Sequence, residues 1–332
     1  GKSLQDASEL AKTTNVLMNV SEFESIDEAT ESMISMTQAY QDLDSMDIVD
    51  KLNLTGNNYS ISTDELAQSL QKSASALKTA KNDFDEAIAL TVAGNSVVQD
   101  PDSVAAGIRT IALRMTGTDT AKKELEDMGE EADNVLTKSK LNDTLEMLTD
   151  IDSRGGISLL DDNGNYRSTA QVLMDLAERW QDIGEQDVKD GQNRQNALLE
   201  ALAGKNRSNI LASILNDPNL LKDVYNDVST NYQGSAMKEN EKQMESIEGH
   251  LKQLRNTWQE FWASDNNREF ITDILDLANG FLELANSIGG AKTVLIAFFG
   301  LFARFKWKDE LSGIFSVIKN IGSEITSTGN SD

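Results

Sequence analysis

A chain of 332 residues has room for one large or two to three ordinary domains, and an apolar content of 39% supplies cores on the lean side. The formal net charge of -25 argues against wrapping DNA or docking on anionic lipid, since both attract basic surfaces; acidity of this kind reads first as solubility. With no cysteine and a single histidine, His250, disulfides, thiol chemistry and zinc sites of the usual kind are excluded.

Both prolines, Pro101 and Pro218, follow an aspartate and read as first-turn helix residues, which fits a mainly α chain. Residues 1 to 20 predict a helix with Leu4, Ala7, Ala11, Thr14 and Met18 on one face. Ser25 and Glu28 have capping-box spacing, and Ile26, Ala29, Met33, Met36 and Tyr40 follow behind at helical intervals. Asp47 to Leu54 predicts a short helix ending near Gly56-Asn57-Asn58. Ser62 and Glu65 form a further capping box, with Ile61 and Leu66 at the staple positions. Leu66, Leu70, Ser73 and Leu77 line that helix. Asn82 is placed to cap the next, which carries Phe84, Ile88, Val92 and Asn95, and Gly94 within it admits a close neighbour. Asp100 caps a third, with Val104, Ile108, Ile111 and Met115 as its stripe and Gly117 as its end.

The stretch from Ser62 to Gly117 resembles the core of phage tail tape measure proteins of the long flexible-tailed type. In that family an S-x-x-E-L-A helix leads to a second helix ending in A-G-N or A-N, and a third carries G-x-x-x-R-T or a close variant. Ser62, Glu65, Leu66, Ala67, Ala93, Gly94, Asn95, Gly107, Arg109 and Thr110 fill these places, although the glycine here stands two residues before the arginine. The resemblance implies a structural scaffold around which tail tube subunits polymerise, its length setting tail length. It implies assembly in the bacterial host cytoplasm with tail assembly chaperones. It further implies residence in the tail lumen as a homo-oligomer, often a trimer, and release ahead of the genome at infection to aid its delivery. The implied partners are the tail tube protein and those chaperones, with no nucleic-acid binding and no cofactor. A start at Gly1, and a length short for that family, suggest a segment of a longer phage or prophage protein.

From Met128 the sequence turns polar. Asn163-Gly164 is a two-residue hairpin signal, with Ile157 to Leu160 and Tyr166 to Arg167 as its short strands. Asp161, Gly164 and Arg167 fill a D-x-x-G-x-x-R pattern of the same family. Ser168 and Gln171 box the next helix, whose broad apolar face holds Val172, Leu173, Leu176, Ala177 and Trp180. Gly204 breaks the following helical stretch, and Gly204, Lys205 and Arg207 match a break seen in the family. A helix then starts at Asp217-Pro218 with Leu221, Val224, Tyr225 and Val228.

Past Gly234 the period changes. Met244, Ile247, Leu251, Leu254, Trp258 and Phe261 alternate by three and four, a heptad stripe suited to self-association or to packing within the chain. Ile271 to Ala278 starts another apolar helix, broken at Gly289-Gly290. Thr293 to Ala303 carries no charge and precedes Arg304, Lys306, Trp307 and Lys308. Spanning a bilayer takes ~20 apolar residues, so 293–308 reads as a buried helix before it reads as a host membrane contact. The tail from Thr326 has the composition of a disordered segment.

These signals predict a mainly α fold, a multi-helix bundle with one small β-hairpin and a long heptad-patterned helix. The expected divisions are 1–128, a helical core domain; 129–235, a helical domain with the hairpin near 157–167; 236–288, the heptad helix and its successor; and 289–332, the apolar segment and tail. No catalytic set stands out. The Asp161 to Asn165 acidic turn places Tyr166 and Val172 where a calcium loop needs glycine and glutamate, and Gly204-Lys205 lacks the earlier glycine of a phosphate loop. The reading is therefore a non-enzymatic scaffold segment; the alternative is a soluble helical oligomerisation module with no phage role.

Overall fold

The structure, a computed structural model, describes residues 4–23 and 25–242. Eleven helices are bounded within them: α1 (Leu4–Asn19), α2 (Ile26–Ala39), α3 (Ser45–Asn58), α4 (Thr63–Thr79), α5 (Phe84–Val98), α6 (Pro101–Thr116), α7 (Asp119–Asp127), α8 (Lys138–Thr149), α9 (Thr169–Asp190), α10 (Arg194–Asn216) and α11 (Pro218–Thr230). Helix begins again at Ser235 and is followed to residue 242. The heptad stripe Met244 to Phe261, the helix from Ile271, the segment 293–308 and the tail lie outside the described residues.

Local chemistry sets most helix boundaries. Ser62 and Glu65 exchange side-chain and backbone hydrogen bonds at the start of α4, as do Ser168 and Gln171 at the start of α9. Asp100 and Asp217 cap α6 and α11 ahead of their prolines, and Gly117 ends α6 in the left-handed region at φ 61°. The cap of α5 is Asp83, one residue beyond the expected Asn82: its carboxylate accepts the Glu86 N–H at 2.7 Å, while Glu86 returns a bond to the Asp83 N–H. Asn82 turns inward instead, donating to the Leu77 carbonyl and accepting from the Ala170 N–H. α3 runs through Gly56 to Asn58. Gly56 suits the interior of this helix because α3 passes tightly over the start of α4: a Cβ there would meet Thr63 Oγ1 at 2.3 Å. α7, which the sequence reading lacked, is capped by Thr118.

The expected hairpin is corrected. No strand occurs among the described residues; Leu160 and Tyr166 form one isolated antiparallel bridge. The type I′ hairpin turn that an Asn-Gly pair favours needs positive φ at both central residues, and Gly164 has it at 77° while Asn163 does not. Asp161 organises the turn, its Oδ1 accepting from the N–H groups of Asn163 and Asn165. Upstream, Ile157 gives its N–H to Thr149 Oγ1 and Leu159 gives its own to Asn142 Oδ1, both at 2.7 Å. Side chains of α8 thus take donors that a second strand would have used.

α5 is the central helix. Residues 86–95 are all buried, so over that stretch it carries no solvent face, as expected of a helix surrounded by others. It packs against α4, α6, α10, α11, α9 and α3. α4 lies against α2 and α6, and α10 covers α6, α5 and α9. One hydrophobic cluster runs from Leu17 to Ala236, crossing residue 128 without a break.

Candidate functional site

The residues singled out by their motif gather around the α4–α5–α6 unit and the helix that closes it. Gly94 on α5 and Gly107 on α6 both face Ile210 of α10. A Cβ on Gly107 would meet Ile210 Cγ1 at 2.7 Å; one on Gly94 would meet Ile210 Cγ2 at 3.5 Å and Val104 Cγ1 at 3.0 Å. The two glycines form a seat for one β-branched side chain that is 1% exposed. Asn95 follows Gly94 and donates to the Ser60 carbonyl at 3.0 Å, tying the end of α5 to the approach to Ser62. Its Oδ1 is buried with no hydrogen-bond partner. Leu66 is fully buried beyond the Ser62–Glu65 box. Thr110 is buried and bonds back to the Ala106 carbonyl within α6. Arg109 faces outward and pairs with Glu124 of α7 through Nε and Nη2 at 3.0 and 2.7 Å. The motif residues thus serve caps, close approach and one helix-to-helix ion pair. The proposed self-association residues Met244, Ile247, Leu251, Leu254, Trp258 and Phe261 lie outside the described residues.

Arg114 is the residue that sequence reasoning missed. It is 1% exposed and, among the described residues, the largest fully buried side chain. Its guanidinium donates to the carbonyls of Ala201, Glu200 and Glu131 and to Asn134 Oδ1, at 2.9 to 3.2 Å. Two of those carbonyls lie just before Gly204, where α10 breaks at φ 71°, ψ 174°, a conformation that in practice requires glycine. The break leaves carbonyls without helical partners, and Arg114 supplies the donors, with its charge at a helix C-terminal end. Burial pulls the guanidinium pKa down from its ordinary value, and the charges of Glu131, Glu200 and Glu130 oppose that. The signal in the sequence was the spacing itself: Arg114 falls between Ile111 and Met115 on the apolar side of α6, where an arginine requires partners.

A second polar joint fixes α9. Ser168 Oγ donates to Glu86 Oε1 at 2.7 Å, so one buried carboxylate serves the first turns of two helices. Burial raises the Glu86 pKa, against the hydrogen bonds from Ser168 and Asp83 that favour its charged form. Asp85 is raised likewise by burial, against its pairing with Lys51. Of the downstream motif, Arg167 joins the Asp161 turn to α9 by bonding Asp175 at 2.6 Å and the Ser158 carbonyl at 3.2 Å. Arg207 pairs with Glu130 at 2.7 Å beside the Gly204 break, and Lys205 lies 3.8 Å from Glu200.

Among the described residues, no group of three or more His, Asp or Glu is placed to hold a metal ion, and no helix is long and apolar enough to cross a membrane. What the arrangement does is lock helices in register. A family model described as "Phage-related minor tail protein" matches residues 1–204, which takes in the glycine seat at Gly94 and Gly107, the Arg114 site and the Gly204 break. No solved structure matches the chain.

Proposed function

This chain belongs to the phage-related minor tail protein family, and from that premise we propose that it is a scaffold segment of a tail tape measure protein. A structural role in the phage tail follows from the family. The finer role rests on the motif in α4, α5 and α6, which lies wholly inside the family-matched span and occupies the middle of the fold. On this reading tail tube subunits polymerise around the protein in the host cytoplasm with the help of tail assembly chaperones. The protein then occupies the tube lumen as an oligomer and leaves ahead of the genome. Met244 to Phe261 supplies the contact between copies. We propose no catalytic step and no cofactor. The oligomerisation module without a phage role falls with the family assignment.

An in-frame deletion of the coding segment for this chain, followed by electron microscopy of the resulting particles, tests the reading. Tails that are absent or of altered length support it. Tails of native number and length overturn it.

A further inference from the structure

The turn between α11 and the helix that begins at Ser235 is gripped by two neighbouring residues of α3. Asp50 and Lys51 are 5% and 4% exposed, unusual for charged side chains. Lys51 Nζ donates to the Val228 carbonyl at 3.0 Å, in the last turn of α11. It also pairs with Asp85 at 2.6 Å and lies 3.8 Å from the centre of the Tyr232 ring. Asp50 divides its carboxylate between the N–H groups of Gly234 at 2.7 Å and Ala236 at 2.9 Å. A cation thus meets the carbonyl end of one helix and an anion meets the amide end of the next, the sign that the peptide dipoles favour at each. Gly234, at φ 74°, makes the reversal between them.

Past the turn the attachment is polar. Asn53 donates to Ser235 Oγ at 2.8 Å, Asn57 to Glu239 Oε2 at 2.7 Å and Asn19 to Asn240 Oδ1 at 2.9 Å. Ala236 is buried but Met237 is exposed, whereas α11 buries Leu221, Val224 and Val228. A helix start held by directional bonds and little apolar area belongs to the class of elements that open without unfolding the core.

We propose that Asp50 and Lys51 form a clasp that holds the turn into the helix at Ser235 against α3, and that the clasp releases independently of the core. Residues 235–242 then take a held and a released position, with α3 as the fixed jaw. This stands apart from the tail-scaffold reading, since it concerns the fold alone and survives or fails on its own test.

Hydrogen–deuterium exchange on the 332-residue chain is that test. In the native chain, residues 235–242 are expected to exchange faster than α5 and α6. Asp50→Ala should accelerate exchange across 234–242 about tenfold, the factor that goes with losing one capping carboxylate, and leave α5 and α6 at native rates. Unchanged exchange across 234–242 overturns the clasp, and so does an equal rise in α5 and α6, which would make the turn part of one cooperative core. Should Asp50→Ala fail to fold, the double variant Asn19→Ala/Asn57→Ala decides, because it removes only the outer contacts. A several-fold acceleration confined to 238–242 supports the proposal; native exchange there overturns it.

Discussion

Ile210 and its two glycines illustrate how a single position can reverse an intrinsic preference. Alanine in a helix interior is normally favoured over glycine by roughly 1 kcal/mol. At Gly107 the new Cβ would press on Ile210 Cγ1, Cβ and Cγ2 at 2.7 to 3.0 Å, on a side chain too stiff at χ1 to swing away. Gly107→Ala is therefore expected to destabilise by about 1–3 kcal/mol, read as a lower urea midpoint. Made in an Ile210→Ala background, which lacks both γ carbons, the same substitution should cost less than it does alone, a coupling that a double-mutant cycle measures. Two glycines thirteen residues apart were legible as motif positions. Their shared partner was not, because it stands on a helix that local periodicity cannot connect to them. Arg114 and the Asp50–Lys51 pair were missed for the same reason: their partners are distant in sequence, and a charge inside a helix reads as solvated until those partners are placed.

Among elements, what was legible followed the range of the interactions. Caps are local, so the starts of α4, α6, α9 and α11 could be read from three or four residues each. Asp83 was legible too, since Glu86 stands at the reciprocal position of a capping box, which Asn82 lacks. The hairpin failed because its local signal, Asn163-Gly164, was outweighed by α8 side chains that satisfy the neighbouring backbone. The joint between α5 and α9 carries a pH prediction. Glu86 has a pKa raised in the folded state, so the native form binds its proton more tightly than the unfolded chain does. The group costs stability at neutral pH. That stability returns as pH falls through the raised value, and is fully regained below the ordinary 4.5. The thermal midpoint should therefore rise as the pH is lowered from neutral toward 4.5, and Glu86→Gln should flatten part of that rise. A slope identical in the two proteins would refute the assignment.

For the whole molecule the net charge of -25 is a standing load on the compact state. Added salt shortens the Debye length to about 8 Å at physiological ionic strength, so exposed carboxylates repel one another less. Melting followed by circular dichroism at rising sodium chloride should show the midpoint increasing and then levelling off; a midpoint that falls would mean that exposed ion pairs such as Arg154–Asp182 outweigh the repulsion.

The shortness of the helices bears on size. The longest among the described residues, α10, has 23 residues and bends at Gly204. Laid out as one straight helix, the roughly 240 residues of the body would reach about 360 Å, at about 1.5 Å per residue. Folded as a single core, a chain of that length has a radius of gyration of about 18 Å and measures about 45 Å across. The body therefore spends its residues on girth. In any assembly where axial reach counts, it adds bulk rather than reach, and trimming a helix from it changes fit before it changes length.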